Sequence, residues 1–198
     1  RVTLTPYQLG VDGARDLVKR KLSENPLAYY NPDQYDNSLS WVAHYESTGR
    51  EILEDVGSEI THLVAGLGTS GTLMGVARRL REHVPDLTIV SVEPERGSEI
   101  PGLKDLETCL VPRIFDESLI DRRERVSSKD AQMTAAFMAM KEGLLCGPSS
   151  GAAMCAALRV SRERQRSGDF SPTVVVILPD YGNRYSSVQT GTGCLYDP

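Results

Sequence analysis

Apolar positions along the chain follow two periods, one typical of buried strands and one typical of helices. Short continuous apolar runs at 61–66, 87–92 and 173–178 predict three strands. The run Thr173-Val174-Val175-Val176-Ile177-Leu178 is rich in β-branched residues, which favours a parallel strand covered on both faces. Helical spacing predicts five further segments: 11–22, 39–56 with a break near Ser47-Thr48-Gly49, 72–83, 129–142 and 150–166.

Two stretches between these elements carry prolines, glycines and asparagines and are predicted to be loops, 25–38 and 94–121. The second is long enough to indicate a functional loop. Strands and helices otherwise alternate, so the sequence predicts an α/β fold with an open, mostly parallel sheet and helices on both faces.

Composition narrows the classes of partner. The chain has 198 residues and a formal net charge of −5, which argues against a nucleic-acid partner and against an anionic membrane surface. No apolar run approaches the roughly 20 residues of a membrane-spanning helix. The cysteines (109, 146, 155 and 194) and the three histidines are too scattered for a metal site, so no metal is expected. Without a targeting signal, we expect free thiols and a cytoplasmic location.

The segment Gly66-Leu67-Gly68-Thr69-Ser70-Gly71 follows a predicted strand and precedes a predicted helix. It satisfies the G-x-G-x-x-G pattern of dinucleotide-binding folds, and Glu93 ends the next predicted strand, where such folds place an acid that binds the ribose. One interpretation is therefore an NAD-binding oxidoreductase domain.

A second interpretation uses the hydroxyl groups of the same turn. Thr69, Ser70 and Thr72 alternate with Gly68 and Gly71. Glycines let the backbone approach an anion, the helix N-terminus supplies N–H groups and a favourable dipole, and the hydroxyls add donors. This pattern is typical of a loop around a single phosphate. A glycine-rich turn with Thr72 or Ser70 as a helix cap remains open as well.

A second small-residue turn, Cys146-Gly147-Pro148-Ser149-Ser150-Gly151, opens another predicted helix. Together with Gly68-Thr69-Ser70-Gly71-Thr72 it resembles the fold-type II pyridoxal phosphate enzymes, and within them the cysteine synthase (O-acetylserine sulfhydrylase) family of B-isozyme type. The resemblance extends over the chain: Ala43–Ile52, Ser98–Gly102 and Pro179–Ser187 are similar to family segments in the same order.

The resemblance implies a role for each matching residue. Gly68, Thr69, Ser70, Gly71 and Thr72 would bind the phosphate of pyridoxal 5′-phosphate. Ser149 would bind the pyridine nitrogen, and Asp180 would lie beside it and orient Ser149. A neutral hydroxyl at the ring nitrogen suits elimination and replacement at the β-carbon, because it leaves the ring a moderate electron sink. Glu93 would then be a structural residue at a strand end.

The family lysine that binds the cofactor covalently has no counterpart in a matching context. We expect all five lysines (19, 21, 104, 129 and 141) to be solvated surface residues, so no catalytic residue is assigned. Residues 1–198 would thus be the C-terminal part of the family chain. They would carry large-domain elements of the tryptophan-synthase-β-like fold without the small N-terminal domain, and would be inactive alone.

The activity implied by the resemblance is replacement at the β-carbon of O-acetylserine or a similarly activated serine by a sulfur nucleophile, giving cysteine. Alternatives are cystathionine formation, the NAD-dependent oxidoreductase and a pseudoenzyme subunit without catalysis. The resemblance implies an amino-acid substrate, a homodimer in the complete enzyme, and an N-terminal half as a further partner.

Overall fold

The computed structural model of the chain describes residues 2–168 and 172–185. Its helices are α1 (Gly10–Glu24), α2 (Leu39–Glu46), α3 (Thr48–Val56), α4 (Gly71–Arg81), α5 (Ser128–Glu142) and α6 (Pro148–Arg166). Its strands are β1 (His62–Gly66), β2 (Thr88–Pro94), β3 (Arg122–Val126) and β4 (Val174–Val176). The predicted helices are all confirmed, including the break at Ser47, which separates α2 from α3.

The four strands form one sheet in the order β3-β2-β1-β4, and every neighbouring pair is parallel. Parallel pairing explains the continuous apolar runs, because both faces of the central strands are covered. In β1, for example, Leu63 belongs to a cluster with α4, whereas Val64 belongs to a cluster with α6. The α/β fold with helices on both faces is thus confirmed.

Close approach of the helices depends on glycines. A Cβ at Gly75 of α4 would lie 2.8 Å from His44 Cβ and 2.9 Å from the backbone nitrogen of Tyr45, both on α2. A Cβ at Gly151 of α6 would lie 2.9 Å from the backbone nitrogen of Ala135 on α5. These distances are shorter than a normal contact, so a larger residue at either glycine would force two helices apart.

Strand β3 was not predicted, because its sequence, Arg-Arg-Glu-Arg-Val, has no apolar run. It lies at an edge of the sheet, where only one side needs a hydrogen-bonded neighbour. Its arginines are balanced by acids: Arg122 lies 2.7 Å from Glu163, and Arg125 lies 2.7 Å from Glu107. Charge pairing on an edge strand therefore replaces the apolar signal.

Strand β4 was predicted from its apolar run, but it is less buried than that run indicates. Its valines were expected to be covered on both faces, yet Val174, Val175 and Val176 are each only partly buried. Within the described residues β4 pairs with β1 alone and forms the other edge of the sheet. The apolar sequence thus predicted the strand but not its degree of burial.

Helix α1 is joined to the rest of the molecule mainly by polar contacts, and it contains no fully buried residue. Arg15 lies 3.6 Å from Asp36 and 4.1 Å from the centre of the Tyr35 ring. Asp12 lies 3.5 Å from Lys104. The segment before α2 is therefore attached to the sheet domain through one small cluster of charged groups around Tyr35.

No helix within residues 2–168 and 172–185 has the length and apolar character needed to cross a membrane.

Candidate cofactor-binding site

Three chain segments meet at the carboxyl end of the parallel sheet. They are the turn between β1 and α4, the loop that contains Gly102, and the start of α6. A Cβ at Gly68 would lie 2.6 Å from the carbonyl oxygen of Gly102, and a Cβ at Gly102 would lie 3.5 Å from Ser149 Oγ. Gly102 thus connects the two turns that the sequence analysis selected. Ligands of open α/β sheets bind at this edge.

The turn at the start of α4 provides unpaired donors. Among the described residues, no protein group accepts a hydrogen bond from the backbone N–H groups of residues 68–72. Helix N-termini leave such groups free, and their dipole favours an anion. The turn is also only partly buried at Gly68, Thr69 and Thr72. An anionic group such as a phosphate therefore fits the donor set at this position.

Ser70 differs from the two threonines of the turn. It has a φ of 70°, in the left-handed region, and is only 3% exposed. Its hydroxyl is enclosed and has no hydrogen-bond partner among the residues that the structure describes. Thr69 and Thr72 are therefore the hydroxyls that solvent reaches, whereas Ser70 offers its backbone N–H.

His44 on α2 contacts the turn from the side. Its Nε2 lies 3.1 Å from Thr72 Oγ1, and its Nδ1 lies 3.0 Å from Thr48 Oγ1. Burial lowers the pKa of His44, so the imidazole is neutral at pH 7. A neutral ring has one donor nitrogen and one acceptor nitrogen, and it can bridge the two threonine hydroxyls.

The two serines at the start of α6 are not equivalent. Ser149 keeps 4% of its surface exposed, whereas Ser150 is completely enclosed and its hydroxyl has no partner within residues 2–168 and 172–185. Gly102 packs against Ser149. Of the two hydroxyls, that of Ser149 is the one next to the space between the three segments.

Asp180 lies against the start of α6. Its backbone oxygen accepts a hydrogen bond from the Gly147 N–H at 3.1 Å, and its Oδ1 is buried beside Gly147 without a partner among the described residues. Its Oδ2 accepts a short hydrogen bond from the Tyr185 hydroxyl, which raises the pKa of Tyr185 to about 12. No hydrogen bond joins Asp180 to Ser149 in the described part of the chain, and the expected orientation of Ser149 by Asp180 stays a prediction.

Glu93 has no room for a ribose. The residue is fully buried. Its Oε2 accepts a hydrogen bond from the Leu106 N–H at 3.2 Å, and its Oε1 lies 3.5 Å from the guanidinium group of Arg123. An acid that binds a ribose must face the ligand. Glu93 instead joins β2 to the following loop and to β3, which agrees with the structural role and argues against NAD binding.

Lys104 corrects the expectation that all lysines are solvated. Its side chain is only 12% exposed, because the ammonium group lies 3.5 Å from Asp12 and 4.7 Å from the centre of the Tyr35 ring. Its backbone N–H donates to the Leu67 carbonyl at 2.8 Å, directly before the glycine turn. Lys19, Lys129 and Lys141 are exposed as expected, and Lys21 is partly buried.

Three of the four cysteines lie in the part of the chain that the structure describes. Cys109, Cys146 and Cys155 are free thiols, and Cys194 lies outside the described residues. No cluster of metal-binding side chains occurs in residues 2–168 and 172–185.

Three residues of the site were not singled out by sequence reasoning. His44, Gly102 and Tyr185 each lie within a segment that resembles the family, but none had a signal of its own. Their contacts are with residues far along the chain or across a turn, and a single sequence does not reveal such pairings. Ser186 and Ser187, the end of the last family-like segment, lie outside the described residues.

The sequence is similar to curated enzymes. It is 39% identical over 186 residues to a cysteine synthase from Aquifex aeolicus, covering 93% of this chain and 57% of the relative. It is 39% identical over 184 residues to cysteine synthase B of Escherichia coli, covering 93% of this chain and 58% of the relative. The chain thus spans less than two thirds of the length of these relatives.

The fold is similar to solved structures. A cysteine synthase from Entamoeba histolytica superposes with a TM-score of 0.83 at 32% identity, covering 94% of this chain and 56% of the other. An O-acetylserine-dependent cystathionine β-synthase from Helicobacter pylori gives 0.78 at 36% identity, covering 92% and 60%.

The model of one protein family, described as pyridoxal-phosphate dependent enzyme, matches residues 2–180. The match includes both turns of the site and the loop that joins them. Since it extends over nearly the whole chain, and the relatives and solved structures agree with it, the chain belongs to the family of pyridoxal-phosphate dependent enzymes.

Proposed function

We propose that this chain contributes the phosphate-binding turn and the ring-nitrogen contact of a pyridoxal phosphate enzyme that forms cysteine by replacement at the β-carbon of O-acetylserine. The observation that carries the proposal is the contact of Gly102 with both Gly68 and Ser149. It brings the anion-binding turn and a neutral hydroxyl to the same edge of the sheet.

Each residue of the proposed site has a physical role. The N–H groups of residues 68–72 bind the phosphate, and the hydroxyls of Thr69 and Thr72 add donors. Ser149 donates its hydroxyl hydrogen to the ring nitrogen. Bound pyridoxal phosphate withdraws electrons from the α-carbon of an amino-acid substrate. Since Ser149 carries no charge, it does not fix a proton on the ring, which suits replacement at the β-carbon.

The covalent attachment of the cofactor belongs to another part of the enzyme in this proposal. The described lysine nearest to the glycine turn along the loop, Lys104, is engaged by Asp12 and Tyr35. We infer that an N-terminal half supplies the attaching lysine and the substrate-carboxylate site, and that the complete enzyme is a homodimer.

The test combines binding and activity. The 198-residue chain is titrated with pyridoxal phosphate and reduced with borohydride, and peptides are then mapped. Noncovalent binding without a stoichiometric lysine adduct supports the proposal, and cysteine formation from O-acetylserine and sulfide is expected only when an N-terminal half is added in trans. A stoichiometric adduct with cysteine formation by the chain alone contradicts the proposed division. Absence of pyridoxal phosphate binding contradicts the site.

The sulfur nucleophile is tested in the same assay. One structural relative carries the name cystathionine β-synthase, so homocysteine is compared with sulfide. Faster turnover with sulfide supports cysteine formation, whereas faster turnover with homocysteine assigns the alternative reaction.

A further inference from the structure

Tyr185 is the side-chain partner of Asp180 at the start of α6. Its hydroxyl donates to Asp180 Oδ2, and in the described part of the chain Asp180 Oδ1 remains buried beside Gly147 without a partner. The carboxylate therefore has unused acceptor capacity next to the helix that carries Ser149. A buried carboxylate oxygen without a donor is unfavourable and takes any donor within reach.

Among the described residues, the donors without a partner at this helix end belong to Ser149 and Ser150, each with its backbone N–H and its hydroxyl. The Gly147 N–H already donates to the Asp180 backbone oxygen. Pro148 has no N–H, and neither Gly147 nor Pro148 has a side-chain donor. The first side-chain donor of α6 is the hydroxyl of Ser149. Ser149 and Asp180 are nonetheless not hydrogen-bonded in the described part of the chain, and the Asp180 carboxylate is hydrogen-bonded to Tyr185 instead.

The direction of the Ser149 hydrogen bond decides its chemistry at a pyridine nitrogen. A hydroxyl that donates its hydrogen to a carboxylate presents only lone pairs to other groups, and it then favours a protonated ring nitrogen. A hydroxyl without that acceptor donates to an unprotonated nitrogen. The electron-withdrawing strength of the cofactor ring depends on which of the two forms is present.

We propose that Tyr185 is a positioning residue that holds Asp180 away from Ser149 and thereby keeps the cofactor ring nitrogen unprotonated. The inference rests on the proposed contact of Ser149 with that nitrogen. The neighbouring charged and titratable groups are Cys146, whose pKa is raised by burial and by Asp180, and Arg184 beside Tyr185. Neither forms a described hydrogen bond with the Asp180 carboxylate, so Tyr185 is its principal restraint.

The test uses 4′-deoxypyridoxine 5′-phosphate with a ¹⁵N-labelled ring. This probe has no aldehyde, so it reports on the site without a lysine. The 198-residue chain and its variants are titrated at pH 7, and the ¹⁵N resonance of the bound probe is compared with those of the free probe in its protonated and unprotonated forms. Tyr181→Phe is the matched control, since Tyr181 is 73% exposed.

The wild-type chain and Tyr181→Phe are expected to bind the probe with an unprotonated nitrogen. Tyr185→Phe is expected to move the resonance more than half of the way to the protonated value, because the released carboxylate accepts the Ser149 hydrogen. Tyr185→Phe/Asp180→Asn is expected to return it towards the wild-type value. Tyr185→Phe with lowered affinity or stability but an unchanged resonance would mean a merely structural role and overturns the inference.

Asp180→Asn gives an independent check. Since Asp180 does not bind Ser149 when Tyr185 is present, this variant is expected to leave the resonance unchanged. A shift in Asp180→Asn alone would mean that the carboxylate already acts on the ring nitrogen, and it overturns the inference even if Tyr185→Phe does not fold. Failure of the wild-type chain to bind the probe overturns the proposed function itself, and the inference with it.

Discussion

His44 Nε2 lies 3.1 Å from the hydroxyl oxygen of Thr72, the last residue of the proposed phosphate-binding turn. The other ring nitrogen lies 3.0 Å from the Thr48 hydroxyl at the start of α3. The imidazole thus connects two helices to the turn and restricts the rotation of the Thr72 hydroxyl.

This relationship predicts that His44→Ala weakens the binding of pyridoxal phosphate. Loss of one hydrogen bond that orients a donor is worth about 1 kcal/mol, or roughly a fivefold rise in Kd. Fluorescence titration of the chain measures the effect. His83→Ala is the control, because His83 is exposed and its imidazole is hydrogen-bonded to the Arg79 carbonyl, away from the turn. Equal Kd values for both variants would contradict a role of His44 at the turn.

The same imidazole predicts a dependence of stability on pH. Burial lowers the pKa of His44 from its ordinary value of 6.5, so below that value the unfolded chain binds more protons than the folded chain. The free energy of unfolding therefore falls as the pH is lowered from 7.5 to 5.5. Urea unfolding at the two pH values is expected to show a smaller decrease for His44→Gln than for wild type, while His83→Gln keeps the full decrease. An unchanged decrease in His44→Gln would assign the acid sensitivity to other groups.

The turn itself predicts a difference between its hydroxyls. Thr69→Ala and Thr72→Ala are each expected to weaken pyridoxal phosphate binding by about 1–2 kcal/mol, the loss of a hydrogen bond to a charged group. Ser70→Ala is expected to have a smaller effect, because the Ser70 hydroxyl is enclosed. Thr108→Ala, on an exposed loop, serves as the control in the same titration. Unchanged affinity in both threonine variants would show that the phosphate does not bind at this turn.

The start of α6 predicts an order between two adjacent serines. Ser149→Ala is expected to shift the absorption spectrum of bound pyridoxal phosphate, since it removes the proposed partner of the ring nitrogen. Ser150→Ala is expected to leave the spectrum unchanged, because that hydroxyl is fully enclosed. If Ser150→Ala produced the larger shift, the ring-nitrogen contact would belong to Ser150.

The ion pair between the buried Glu93 and the partly exposed Arg123 predicts coupling between two strands. Arg123→Met leaves the Glu93 carboxylate buried without its ion-pair partner, and it is expected to destabilise the fold by about 1–2 kcal/mol, less than the loss of a fully buried pair. Glu93→Gln in the same chain is expected to recover part of this loss, because the uncompensated charge is removed. Urea unfolding of the two single variants and the double variant measures the coupling. Additive losses would show that the two side chains act independently.

Sequence periodicity predicted the central elements well, because buried strands and helices impose a regular apolar pattern on residues such as Leu63 and Val64. It failed at both edges of the sheet. Strand β3 is stabilised by pairs such as Arg122 with Glu163, which leave no apolar pattern. Strand β4 has the pattern of a buried strand but pairs with β1 alone among the described residues.

The two turns of the site were predictable because glycine, serine and threonine have backbone and donor properties that a helix N-terminus uses locally. The connection between them was not, since Gly102 meets Gly68 and Ser149 only in the folded chain. The pairing of Tyr185 with Asp180 depends on the path of the chain after β4. Such contacts follow from tertiary structure and leave no periodic signal.

Helix α1 is attached through Arg15, Asp12 and Lys104, so the chain has two regions that differ in the free energy needed to open them. The helix has no fully buried residue, so the protection of its amide hydrogens depends on a few ion pairs and not on an apolar cluster. The sheet and its flanking helices are stabilised by two apolar clusters. Local opening of α1 therefore costs much less free energy than global unfolding. Because Lys104 follows Gly102 by two residues, each such opening releases one restraint on the loop that joins Gly68 to Ser149.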